Sequence, residues 1–257
     1  MKKSITNFTV ISNTRLSSTQ FLLELSSDLY LFDILPGQFV NAKVEDSPQT
    51  YLRRPFSIHS VDTERNVLFL LIKEMGIGSK KLGFLKKGDV LNLILPLGNS
   101  FSLENVQNAL LVGGGCGVAP LLFLAQQLLV KNIRCDILLG GRSADDIVEV
   151  DEYKKYGNVH ITTDDGSLGE KGFVTQHPIF NTNAVWDRIY TCGPEPMMKA
   201  VARYANQHNT DCEVSLENTM ACGIGSCLCC VTDTLEGNVC VCTEGPVFNI
   251  KRLKWQI

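Results

Sequence analysis

The sequence predicts an α+β multidomain chain in three parts: a small antiparallel β-barrel over residues 1–102, a parallel α/β unit over 103–215, and a small C-terminal unit over 216–257. Three observations predict this. Up to about residue 100 the chain is a series of short β-branched and aromatic runs separated by turn residues. From about 105 the pattern changes to strand-like runs that alternate with helix-like ones, the texture of a parallel sheet covered by helices. Beyond 216 the chain is short and rich in cysteine. A length of 257 residues accommodates two domains of ordinary size and a small appendage.

Composition removes several function classes. The net charge is −3, and no charge run or basic–aromatic interleaving points to a nucleic-acid partner. The longest apolar stretch, about 110–130, is broken by a glycine run and by Gln126 and Gln127, so no membrane partner is expected. Met1, Lys2 and Lys3 lead into Ser4, Thr6 and Asn7 rather than an apolar segment, which argues against a signal peptide. Free thiols in this number suit a reducing, cytoplasmic setting.

In the first part, FTVI, FLLEL, GQFVNAKV, PFSIHSV, NVLFLLIK and DVLNLIL read as strands, punctuated by Pro36–Gly37 and by Lys87, Gly88 and Asp89, with a helix expected over 79–85. Arg54, Pro55, Phe56 and Ser57 open one of these strands. An arginine there can grip a diphosphate bidentately, and the serine hydroxyl can reach the edge of a planar ring. Gly78 and Ser79, at the start of the helix, would add backbone donors to the same diphosphate. Taken singly, each of these residues is ordinary surface or turn.

In the second part, strands are expected over 110–113, 135–139, 159–162 and 188–192, with an apolar helix over 118–130. Gly113, Gly114, Gly115 and Gly117 lie where the first strand gives way to that helix, so backbone N–H groups can approach a pyrophosphate at its positive end. The run departs from G-x-G-x-x-G because Pro120 takes the third place, a residue suited to the first turn of a helix. Alone, such a run reads equally well as a turn that packs a helix on a sheet. A second strand–turn–helix junction follows at Thr191, Cys192, Gly193 and Pro194. Beyond the second strand, Arg142 and Ser143 could hold a 2′-phosphate, while Asp145 and Asp146 would repel one.

In the third part, Cys222, Cys227 and Cys230 stand as C-x4-C-x2-C, and Cys240 and Cys242 follow. This is the plant-type ligand spacing of a 2Fe-2S cluster. Gly223 and Gly225 let the loop turn and bring its amides toward the sulfurs. Structural zinc prefers two C-x2-C-like pairs separated by a longer run, a form this spacing does not take. Cys229 breaks the x2 spacing to Cys227 and reads as a bystander; buried, inert thiols are the bland alternative for all of these cysteines.

In this order, RRPFSI, VGGGCGVAPL, TDDGSLGEKGFV, YTCGPEPMMKAV, SLENTMACGIGSCLCCV and VCTEGPVF make the chain resemble the ferredoxin-reductase-like family along its whole length, and within it the electron-transfer subunits of dihydroorotate dehydrogenase B. The resemblance implies that Arg54, Pro55, Phe56 and Ser57 contact FAD, together with Leu71, Ile72 and Lys73 and with Gly78 and Ser79. It implies an NAD site at Gly114, Gly115 and Gly117, with Cys192 and Gly193 beside it; for Cys192 a buried thiol at a strand end is the alternative. It places the cluster on Cys222, Cys227, Cys230 and Cys242, the last chosen over Cys240 because the family's final ligand directly precedes an acidic-Gly-Pro segment, here Thr243 to Pro246. The implied partner is an FMN-containing dihydroorotate dehydrogenase catalytic subunit, two copies of each chain forming a heterotetramer. Electrons would then pass from FMN through the cluster and FAD to NAD in pyrimidine biosynthesis. Two other readings compete. The first is the reductase subunit of a ferredoxin:NADP oxidoreductase-type complex, a group that departs from cysteine at the first ligand position. The second is a zinc-stabilised adaptor without redox activity, which would be colourless.

Overall fold

The computed structural model describes residues 3–45, 47–182 and 184–257; Met1 and Lys2, part of the N-terminal segment read above, lie outside the described residues. The first part forms strands β1 (Ser4–Arg15), β2 (Gln20–Ser26), β3 (Phe39–Ala42), β4 (Arg54–Ser57), β5 (Ser60–Asp62), β6 (Val67–Lys73) and β7 (Val90–Leu97), with helix α1 (Ile77–Leu82) before β7. They make one antiparallel sheet of order β4-β3-β7-β1-β2-β6-β5. The run PFSIHSV, read as one strand, is two: β4 pairs with β3 and β5 with β6, at opposite edges of the sheet. Only Ile58 and His59 separate these two edge strands, so the sheet has to curl until its edges meet. Phe8, Phe21, Leu23, Leu70, Ile72 and Leu93 fill the curl, one face of each strand turned inward.

Helix α1 starts two residues earlier than expected and ends before Gly83. Ser79 is therefore inside its first turn, where its hydroxyl accepts from the N–H groups of Met75 and Gly76 and ties down the entry to the helix.

The second part contributes β8 (Asn108–Gly114), β9 (Arg134–Gly141), β10 (Asn158–Thr163), β11 (Glu170–Lys171), β12 (Arg188–Cys192) and β13 (Asp211–Ser215), with α2 (Ala119–Val130), α3 (Val150–Tyr153) and α4 (Glu195–Gln207). The strands run parallel in the order β11-β10-β9-β8-β12-β13. The order reverses between β8 and β12, which opens a crevice at their C-terminal ends. Helix α2 is preceded by a 3-10 turn over Gly115–Val118, with Pro120 in its first turn. Its residues from Ala119 to Ala125 are all buried, because the helix lies between the sheet and the barrel and Phe123 reaches into the barrel core. In α4 the buried residues Met198, Val201, Ala202 and Ala205 keep helical spacing, giving one apolar stripe against the sheet.

The third part folds as a hairpin of β14 (Val231–Thr234) and β15 (Gly237–Cys240), a short α5 (Val241–Glu244), and β16 (Val247–Asn249). It is less of an appendage than its length suggested. Strand β16 adds antiparallel to β13 and extends the large sheet. Val241, Cys242, Phe248 and Ile250 share one buried core with Val201 and Val214 of the nucleotide unit and with Phe39 and Leu97 of the barrel.

Barrel and sheet are clasped through residues 145–149. His59 places Nδ1 at 2.7 Å from the carbonyl oxygen of Ala119 and Nε2 at 2.8 Å from Glu149. Lys73 donates to Asp146 at 2.6 Å, Gln20 donates to the Asp146 carbonyl at 3.2 Å, and the Ser18 hydroxyl donates to Asp145. No helix among the described residues is long and apolar enough to cross a membrane.

Candidate flavin, nucleotide and cluster sites

Strand β4 is an edge strand, the place where a proline costs no ladder hydrogen bond, and Pro55 occupies it. All four of its residues, Arg54, Pro55, Phe56 and Ser57, are half-buried, so the strand is neither packed away nor fully open to water. The Arg54 guanidinium donates to the carbonyls of Leu52 and Arg53, and among the described residues it has no carboxylate partner. It lies over α1: a Cβ on Gly78 would stand 3.4 Å from Arg54 Nε and 3.0 Å from Thr50. The fold thus joins Arg54, Gly78 and Ser79, a guanidinium with only carbonyl partners over the buried glycine and serine at the start of α1. That donor set fits a diphosphate.

The Leu71, Ile72 and Lys73 side chains are engaged elsewhere. Leu71 packs in the core of the nucleotide unit, Ile72 in the barrel core, and Lys73 on Asp146. What this end of β6 offers is backbone, since its pairing with β5 stops at Phe69.

At the crevice, the glycines divide by task. A Cβ on Gly117 would lie 2.4 Å from the Cys192 backbone, and one on Gly114 would lie 2.4 Å from the Met197 sulfur. These two let the first turn press against the second. Gly193, at φ +150°, closes the same contact from the other side: a Cβ there would lie 2.9 Å from the Gly114 carbonyl oxygen. Gly115 differs: it has φ +56° and open space where a side chain would be. It is the glycine of this loop whose backbone is left bare, with no neighbour where a side chain would stand.

Cys192 is buried, and burial, with the Glu217 and Cys116 charges adding to it, pushes its thiol well up. Cys116 is likewise pushed up, to about 11, by burial and then by Glu217. Asp145 and Asp146, read as a barrier to a 2′-phosphate, turn instead to Ser18 and Lys73 of the barrel.

Three of the four candidate cluster sulfurs already accept backbone N–H groups. Ile224 donates to Cys222 at 3.4 Å, Gly225 to Cys242 at 3.2 Å, and Cys242 to Cys230 at 3.4 Å. Positive φ at Gly223, Gly225 and Leu228 makes these approaches possible. The Ile224 amide is the main cause that draws the Cys222 thiol below its ordinary range, toward the thiolate a metal needs; burial drives the Cys242 thiol the other way. Cys230 and Cys242 are buried, Cys222 and Cys240 are half-buried, and Cys227 and Cys229 are exposed. Among the described residues no three His, Cys, Asp or Glu side chains converge closely enough for a single metal ion. The loop with its amide donors fits a binuclear cluster held by four thiolates.

Sequence reasoning missed Glu217. Its carboxyl lies near enough to Cys116 and Cys192 for its charge to raise both thiols, and the protein packed around it raises its own pKa although the residue meets solvent. It lies within the SLENTMACGIGSCLCCV motif but is not singled out there, because the thiols it acts on come from the ends of two other strands.

Comparison with known proteins accords with this layout. Residues 7–101 match the oxidoreductase FAD-binding domain, 111–203 the oxidoreductase NAD-binding domain, and 217–254 the iron–sulfur cluster binding domain of dihydroorotate dehydrogenase B. The chain is 38% identical to the electron transfer subunit of dihydroorotate dehydrogenase B (NAD(+)) from Fusobacterium nucleatum, over 95% of this chain and 96% of that one. It is 36% identical to the subunit so named from Shouchella clausii, over 97% of this chain and 98% of that one. Among solved structures it is similar to a chain of the NADH-dependent reduced ferredoxin-NADP oxidoreductase, with a TM-score of 0.88 and 28% identity over 96% of this chain and 90% of that chain. Curated relatives at this identity over nearly their whole length place the chain in the family of electron-transfer subunits of NAD-dependent dihydroorotate dehydrogenase B.

Proposed function

We propose that the chain carries electrons between a dihydroorotate-oxidising catalytic subunit and NAD, holding FAD on the barrel, NAD at the β8–β12 crevice and a 2Fe-2S cluster on Cys222, Cys227, Cys230 and Cys242. NAD exchanges hydride, a cluster exchanges single electrons and a flavin exchanges both, which is the chemistry these groups supply when bound. The chain's own residues bind and orient. Arg54, Gly78 and Ser79 take the flavin diphosphate, and the β4 residues with the free backbone of β6 hold its ring. Gly115 admits the nucleotide pyrophosphate, and Gly114, Gly117 and Gly193 keep the two turns of the crevice in register.

The observation that carries this reading is the placement of the cluster loop. Its inner ligands Cys230 and Cys242 are buried, Cys242 in the core that both large units share, while Cys227, Ile224 and Leu228 face outward. A centre so placed can take electrons from outside and pass them inward. The outer face suits docking of an FMN-containing catalytic subunit, in an assembly of two copies of each chain in the cytoplasm. The reductase of the ferredoxin:NADP type shares the fold; the cysteine at position 222 favours the dihydroorotate reading.

The isolated chain is expected to oxidise NADH with an artificial acceptor but not to oxidise dihydroorotate. Adding the cognate catalytic subunit should start dihydroorotate-dependent reduction of NAD, and Ile224→Asp should weaken that transfer more than NADH oxidation. Dihydroorotate oxidation by the isolated chain, or no gain on mixing, would overturn the proposal.

A further inference from the structure

Asn41 is fully buried in the middle of β3, where its register partner across the ladder is Pro55 of β4. Its backbone therefore belongs to the strand pair that carries the Arg54–Ser57 segment. Its side chain points away from that pair, to the C-terminal segment: Nδ2 lies 3.5 Å from the carbonyl oxygen of Ala221 and 3.5 Å from that of Cys222. At this length the two contacts are a shared, stretched donation, weak as hydrogen bonds. The seat is completed by shape. Gly223, at φ +72°, brings the loop so close that a Cβ there would stand 2.8 Å from Asn41 Nδ2 and 3.2 Å from Leu97.

The orientation of the amide is set by its neighbours. Both are carbonyl oxygens, so the nitrogen has to face them, and Oδ1 is left in the interior without a hydrogen-bond partner in the described structure. A buried acceptor of that kind carries a desolvation cost that a leucine, branched at the same atom, would avoid. The favourable side of having asparagine here is what its nitrogen does for the loop. Cys242 is fixed in the shared core, whereas the loop of Cys222 takes its position from the barrel strand next to the flavin segment.

We propose that Asn41 is a positioning residue for the redox reaction: it registers the first ligand loop of the cluster against the flavin-binding edge of the barrel, and so sets the gap that single electrons cross. The proposal rests on the ligand and flavin assignments above. It goes beyond them in naming the contact that couples the two sites.

The test uses the full chain purified with its cluster and FAD. Under anaerobic conditions NADH is added in a rapid-mixing device, flavin reduction is followed by absorbance, and cluster reduction by electron paramagnetic resonance of freeze-quenched samples. Asn41→Leu should keep flavin content, cluster content and NADH oxidation by ferricyanide, yet slow cluster reduction about tenfold or more, as small misplacements of reacting groups do. It should also alter the line shape of the reduced cluster. Asn41→Ser, too short to reach the loop, should behave alike. Wild-type cluster reduction rates with an unchanged spectrum in both variants would overturn the proposal. So would a slowing matched by equal slowing of flavin reduction, or loss of the cluster from both variants, which would make Asn41 a scaffold residue. A wild-type chain that binds flavin but gives no cluster signal would instead overturn the ligand assignment beneath it.

Discussion

Replacing Cys222, Cys227, Cys230 or Cys242 by serine is expected to abolish the iron–sulfur signal of the reduced protein, whereas Cys229→Ser and Cys240→Ser leave it in place. A serine oxygen is a harder donor than a thiolate, and its hydroxyl is far less acidic than a thiol, so it does not sustain cluster ligation. The sharpest discrimination is between Cys240 and Cys242. Cys242 is buried and receives the Gly225 amide, while its own N–H donates to Cys230, so it closes the loop from beneath. Cys240 ends the hairpin strand, is half-buried, and precedes the short helix that carries Cys242. Electron paramagnetic resonance together with iron content per chain gives the readout. Loss of signal in Cys240→Ser with retention in Cys242→Ser would transfer the fourth ligand to Cys240.

The second large effect is expected at the flavin. Arg54→Ala removes a guanidinium that donates only to carbonyls in the described structure and lies over Gly78. Each hydrogen bond to a charged group contributes about 1.5–3 kcal/mol, so losing even one should weaken FAD retention about tenfold or more. The cluster should be unaffected, because its loop touches the barrel at Asn41 and Leu97 on neighbouring strands and not at Arg54. Flavin content after gel filtration, compared with iron content in the same sample, separates a local effect from unfolding. Flavin content equal to wild type would mean that the diphosphate is held elsewhere.

The barrel and the parallel sheet were legible in the sequence because they rest on local patterns: β-branched runs between turns, and strands alternating with apolar helices. The split of PFSIHSV was not, since what divides Ser57 from Ser60 is a change of pairing partner across the sheet and not a change of residue type. The glycine run was legible as a turn, but the separate roles of its members were not. Gly117 is required by Cys192 and Gly114 by Met197, contacts made only once β12 lies beside β8. Lys73 and Asp146, expected at two different sites, meet in one ion pair between the units. Cysteine spacing marked the candidate ligand loop directly, because all but one of the candidate ligands lie within a single short segment, Cys222 to Cys230. Glu217 read only as part of the cysteine motif and Asn41 only as part of a strand, as each gains its significance from residues far away in the chain.

If this single chain converts hydride to single electrons, an anaerobic titration of the isolated protein with NADH will show both steps. The visible spectrum should show flavin bleaching, and frozen samples from the same titration should develop the resonance of a reduced 2Fe-2S cluster, both without any partner subunit. A colourless protein, or a flavin that bleaches fully while the cluster stays silent at every NADH level, would show that the chain makes no such conversion.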